Sequence, residues 1–185
     1  MGIDHWQPPE ELSRQELALM KRLDRVRKLL GFLRVHRRRL FDDAFQDELA
    51  TMYRDTGAGK SPVPPALMAM AMLVQAYLGV SDAEMVELTV VDLRVQMVLD
   101  QLGADTPAFS QGALVDFRDR LIRADLDRRV LERTVELARE TAGFDGANCR
   151  ARCASRWAPA LLKERAASKT RSISWGTRPA TWFAA

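Results

Sequence analysis

Apolar residues recur along most of the chain at steps of three and four, the period of a helix buried on one side. Leu17, Met20, Leu23, Val26, Leu29 and Leu30 form the first such stripe. Ser13 stands three residues before Glu16, a capping-box spacing, so the pattern predicts a helix opening at Ser13. Gly31 is the expected break or bend, followed by a short basic segment, Phe32–Leu40. Asp42 or Asp43 then caps a helix running to Tyr53. Gly57, Gly59, Pro62, Pro64 and Pro65 crowd positions 56–65 and mark a loop. Pro64 and Pro65 suit the first turn of the next helix. That helix, Ala66–Leu78, is apolar nearly all round and is expected at the centre of the fold. Gly79 ends it.

Ser81 with Glu84 opens another helix, and Val91–Leu102 continues the helical pattern to Gly103. Ser110 caps a helix through Leu114, Phe117, Leu121 and Ile122. Asp125 or Asp127 opens the last one, with Val130, Leu131, Thr134, Val135, Leu137 and Ala138 inward. No stretch sustains period-two alternation. The prediction is an all-α fold, a bundle of about seven helices over residues 13–148, followed by an irregular basic tail over 149–185. The tail has neither Val nor Asp, yet holds Trp157, Trp175 and Trp182, three of the four tryptophans.

Composition narrows the class. At 47% hydrophobic and 29% charged, the 185 residues suit a globular domain and exclude collagen-like or largely disordered chains. The longest apolar run, around Ala66–Val74, is too short to span a bilayer. The polar N-terminus lacks an apolar signal core. Two cysteines, Cys149 and Cys153, make no disulfide framework. These features set the expectation of a cytoplasmic protein with no membrane partner.

The net charge of +3 hides an asymmetry. Residues 1–149 carry 20 Lys and Arg against 24 Asp and Glu, whereas residues 150–185 carry 8 against Glu164 alone. The high isoelectric point therefore comes from the tail, and any argument for nucleic acid must rest on local clusters. Within the body, Arg14–Arg39 is such a cluster. It holds ten basic residues (Arg14, Lys21, Arg22, Arg25, Arg27, Lys28, Arg34, Arg37, Arg38 and Arg39) against Glu16 and Asp24. A basic face of this kind is rewarded by phosphate backbones through counterion release. Arg118, Arg120 and Arg123 form a second candidate face, although the carboxylates beside them also fit a solvated helix surface.

Other motifs carry less. Gly59-Lys60-Ser61 resembles the end of a phosphate-binding loop, but the required earlier glycine is Arg54, and the prolines that follow remove backbone donors. Cys149 and Cys153 have no second ligand pair, and His5 and His36 are distant in sequence, so no zinc site is expected. His36 lies in a basic run and reads as a phosphate contact or a surface residue.

Three stretches taken together resemble a known family. Ser61-Pro62-Val63-Pro64-Pro65-Ala66-Leu67 leads to Leu73-Val74-Gln75-Ala76-Tyr77-Leu78-Gly79-Val80-Ser81-Asp82. Glu84-Met85-Val86-Glu87-Leu88 follows, and later Phe109-Ser110-Gln111 and Leu114-Val115-Asp116-Phe117-Arg118-Asp119-Arg120-Leu121. Over about residues 15–148 the chain is similar to the helical N-terminal domain of bacterial insertion-sequence transposases, the InsH-like group with DDE chemistry. The resemblance implies a nucleoid-associated protein whose helical region engages the terminal inverted repeats of its element; the charge clusters assign that contact to Lys21, Arg25, Lys28, Arg34, Arg37, Arg38 and Arg39, with Arg118, Arg120 and Arg123 as the second face. In that family an RNase H-like domain follows, in which three carboxylates hold Mg²⁺ for two-metal phosphoryl transfer. Such a domain needs on the order of 150 residues, and 37 follow Asn148. The expectation is a chain without catalytic residues or a cofactor of its own. A full-length transposase is an alternative partner, which this chain would join and inhibit.

Codon logic gives the tail an origin. From Arg165 to Thr177, the third base of each codon joined to the first two of the next admits the string GRVEDTFNLLGH, which closely resembles the family's sequence inside its catalytic domain. From Cys153 to Pro159 the same frame admits RVALGS, against a family pattern like RVALDS. The tail therefore reads as out of frame from near Asn148–Arg152. Trp157-Ala158 forces glycine where the family carries its first catalytic Asp. A programmed −1 frameshift would restore this frame; the missing Asp points to decay.

Overall fold

The computed structural model describes residues 3–23, 28–53 and 62–141. The chain divides into two units, Met1–Gly143 and Phe144–Ala185, and every described residue belongs to the first. The predicted tail, with Cys149 and Cys153, lies outside the described residues, as does the loop containing Gly59-Lys60-Ser61.

The fold is all-α. Eight helices run through the described residues: α1 (Arg14–Arg22), α2 (Lys28–Leu40), α3 (Asp43–Ala50), α4 (Pro65–Leu78), α5 (Asp82–Val91), α6 (Leu93–Leu99), α7 (Gln111–Arg123) and α8 (Asp127–Glu140). Short polar side chains start most of them by accepting backbone N–H groups that have no partner within the helix. Ser13 accepts from Glu16 N while the Glu16 carboxylate accepts from Ser13 N, completing the capping box. Asp42, Ser81 and Ser110 cap α3, α5 and α7 in the same sense. Substituting such a cap by alanine typically costs about 1 kcal/mol.

Helix α4 is the centre of the unit and packs against α3, α5, α6 and α7. Leu67, Met68, Met70, Leu73 and Val74 are buried, and Ala66, Ala69 and Ala71 keep its other sides narrow enough for close approach. Helix α6 packs against α1, α2, α4 and α5, and α8 rests on α2 and α7. Burying one large aliphatic side chain contributes roughly 1.5–3 kcal/mol, so each of these side chains is a sizeable part of the driving force.

Residues 3–12 form an irregular strap across α2 and α3. Trp6 is buried, edge-on to Phe41 with ring centroids 6.3 Å apart. Trp6 N donates to Gln46 Oε1 at 2.7 Å, and Gln46 Nε2 donates back to the Trp6 carbonyl at 3.1 Å.

Two expectations change. Gly31 does not break a helix; it lies inside α2, and a Cβ there would stand 3.1 Å from Met20 Sδ and Cε. It is the residue that lets α1 and α2 approach. The first stripe instead divides after Arg22, where Leu23 turns to an extended conformation. The last helix opens at Asp127, one of its two expected starts; its N-cap position is held by Leu126, which offers no side-chain oxygen, and Asp125 takes a left-handed conformation (φ 58°) in the preceding turn.

Candidate nucleic-acid interface

Helix α2 has two faces, and its period decides which arginine lies on which. Leu30, Leu33, Leu40 and Phe41 point inward. Arg34 and Arg37 fall at three- and four-residue steps from them and share their burial. Arg34 is fully buried. Its guanidinium forks onto the Glu16 carboxylate, with Nη2 3.0 Å from Oε2, and donates to the strap carbonyls of Glu11 at 2.8 Å and Glu10 at 3.4 Å. Burial opposes ionisation of Glu16, but the bonds from Arg34 and Ser13 outweigh it and hold the carboxyl below its usual range.

Arg37 is 1% exposed. It donates to the Met97 and Val98 carbonyls at 3.2 and 3.4 Å, to Pro9 O at 3.0 Å and to Asp100 Oδ1 at 3.0 Å. The first two belong to the last turn of α6, whose carbonyls have no partner within the helix, so Arg37 caps α6 from outside. Burial, and then the nearby Arg34 charge, lower the Arg37 pKa. Arg37 Nε and Asp127 Oδ1 are buried polar atoms without a hydrogen-bond partner among the described residues.

These two arginines are withdrawn from any surface, which corrects the reading of residues 14–39 as one basic face. The remaining cations are divided again by their partners. Arg38 Nε lies 3.5 Å from Glu10, and Arg39 Nη2 lies 3.1 Å from Glu140. Lys21 and Lys28 are exposed and make no ion pair among the described residues. The same holds for Arg14 and Arg22, which were counted in the cluster but not singled out. Lys21, Arg22 and Lys28 flank positions 24–27, so they gather where α1 ends and α2 begins. Arg25 and Arg27 lie in that interval, outside the described residues. His36 is half-buried against Phe32, with ring centroids 4.7 Å apart; burial and then the Arg39 charge lower its pKa, so both disfavour its charged form.

The second candidate face separates in the same way. Arg118 donates to Asp82 Oδ2 at 3.0 Å and to Gln75 Oε1 at 3.1 Å, tying α7 to α5 and α4. That bond, ahead of the opposing effect of burial, holds the Asp82 carboxyl below its usual range. Arg120 stacks over the Tyr53 ring, 4.6 Å from its centroid. Arg123 is the exposed one of the three, 3.8 Å from Asp119. Sequence reading also passed over Arg133. It donates to Leu40 O at 3.1 Å and to Asp42 at 2.7 Å and lies over the Phe45 ring, fastening α8 to α2 and α3.

A cleft of about 550 Å³ opens beside this fastening. Arg38, Arg39 and Arg133 line it together with Glu10, Asp42, Asp43, Glu136 and Glu140. Carboxylates outnumber arginines there, so the cleft does not attract phosphate. Among the described residues no group of three or more His, Cys, Asp or Glu is placed to hold a metal ion.

The site is thus a helical surface carrying unpaired cations at one corner. The family model described as transposase domain (DUF772) matches residues 19–120, more than half of the chain, so the chain belongs to that family. The match takes in α2 through α6, the end of α1 and most of α7, including the α1–α2 corner. No curated protein and no solved structure matches the chain.

Proposed function

We propose that the helical unit binds DNA, in the setting of transposition, through the corner where α1 meets α2. One observation carries this reading: Lys21, Arg22 and Lys28 are exposed without an ion-pair partner among the described residues, while the other cations of α2 are buried or paired. An unpaired cation that neutralises a phosphate releases counterions condensed on the DNA, and that release favours binding. Arg25 and Arg27 add charge in the same stretch of sequence. Membership of a transposase-domain family makes DNA the natural polyanion, and the terminal inverted repeats of an insertion sequence are the proposed target. Binding, rather than strand cutting, is the activity assigned to these residues.

A fluorescence-anisotropy titration of the full chain against a duplex carrying the inverted repeat, repeated across salt concentrations, tests the proposal. Direct binding with a steep salt dependence is expected. Binding that appears only when a complete transposase is added would instead assign the unit to assembly with that enzyme. No binding in either case would overturn both readings.

A further inference from the structure

Between α4 and α5 the chain turns by 104° over the three residues Gly79, Val80 and Ser81. Gly79 takes the left-handed conformation (φ 72°) that such a tight turn requires. Gln75 Nε2 donates to Asp82 Oδ1 at 2.6 Å, and Arg118 holds the same carboxylate, so the corner is fastened from α7 as well. Two helices at roughly 90–120° across a three- or four-residue turn are the geometry of a helix-turn-helix, whose second helix projects outward.

The charge of that second helix opposes DNA. Helix α5 carries Asp82, Glu84 and Glu87 and no Lys or Arg. Ala83, Glu84, Glu87 and Val91 are exposed, Val91 at 71%, and Leu93 follows at 46%. Glu84 and Glu87 make no ion pair among the described residues. A phosphate backbone repels this face, whereas a partner with an apolar stripe between cations complements it.

This chain carries such a partner on α1. Arg14, Leu17, Ala18 and Lys21 share one exposed face at steps of three and four, with Leu17 at 45% exposure and both cations unpaired among the described residues. The geometry points to self-association in which the α5 face of one copy docks on the α1 face of a second copy. The two patches differ, so the contact is heterologous and each bound copy presents a further free patch. A two-helix contact is smaller than a standard interface, so association is expected to be weak and to weaken further with salt.

Sedimentation of the full chain tests this without DNA, so its failure is separate from failure of the DNA reading. At low ionic strength the average mass should rise with concentration. The variants E84K/E87K and R14E/K21E should each sediment as monomers, and an equimolar mixture of the two should associate again, because each supplies the charge the other lacks. Circular dichroism confirms that each variant keeps its helix content. If a charge-reversed variant does not fold, E84Q/E87Q replaces it and should weaken association at least about threefold, roughly 0.65 kcal/mol. A wild-type chain that stays monomeric, folded variants that associate as the wild type does, or a mixture that remains monomeric would overturn the proposal.

Discussion

The inner face of α2 and the corner just before it hold the same kind of side chain and use it in opposite ways. Arg34 and Arg37 lie among Leu30, Leu33 and Leu40, and every acceptor they bind belongs to the strap, α1, or the α6 terminus and the residue after it. Lys21, Arg22 and Lys28 face water and bind nothing among the described residues. A buried guanidinium is tolerable only when its hydrogen bonds are nearly all made, so it organises the backbone around it. An exposed unpaired cation contributes little to folding and leaves its charge available. Charge counted along a sequence does not separate these roles; partners do.

The comparison breaks most sharply at Arg34. Replacing it with methionine leaves Glu16 buried without its partner, and R34M should lose about 3–5 kcal/mol of stability in urea titration. Adding E16L removes the orphaned carboxylate and should recover part of that loss; a double variant no more stable than R34M would show that the strap carbonyls, not the pair, dominate. At the corner the opposite is expected. K21Q/R22Q/K28Q should change stability by less than about 0.5 kcal/mol while lowering the slope of log affinity against log salt by about 2–3. An unchanged slope would remove the corner from the DNA interface.

Acid adds a milder test of the inward set. The folded Asp82 pKa lies below its unfolded value, so the Asp82–Arg118 pair contributes stability above the unfolded value of about 4 and loses it as pH falls through the folded value. D82N should therefore flatten the acid side of a stability–pH curve measured by denaturant midpoint, with its largest deficit at neutral pH. Gly31 supplies the smallest effect. G31A gains helix propensity but presses on Met20, whose flexible end can shift, so a net change within about 0.5 kcal/mol is expected. G31L, too large for Met20 to accommodate, should lift α1 from α2 and lower the melting temperature.

Much of the scaffold was legible before any coordinates. Ser13, Asp42, Ser81 and Ser110 announce helix starts because a short oxygen beside a periodic apolar run has few other uses. Helix α4 is recognisable because a helix apolar on every side must be surrounded. The end of α1 was not legible. Leu23 carries no breaker signal, yet it takes an extended conformation where the chain leaves α1, and Arg34 of α2 binds back to Glu16 of α1. Gly31 drew the expected break to itself for the wrong reason, since close packing and chain reversal both favour glycine. The corner cations lay within the basic cluster, but so did Arg34 and Arg37. The signal that divides them was the three- and four-residue step from Leu30 and Leu33, which weighs an arginine by its position on the wheel rather than its charge.

The strap carries a practical warning. The segment that defines the family begins at residue 19, yet Trp6, Glu16 and the carbonyls of Pro9, Glu10 and Glu11 all precede it. A recombinant fragment trimmed to the family boundary would strip the Arg34 guanidinium of every acceptor described above and that of Arg37 of one in four, and bare the Phe41 ring. Its insolubility would then report on where the scissors fell, not on whether the helices can stand by themselves.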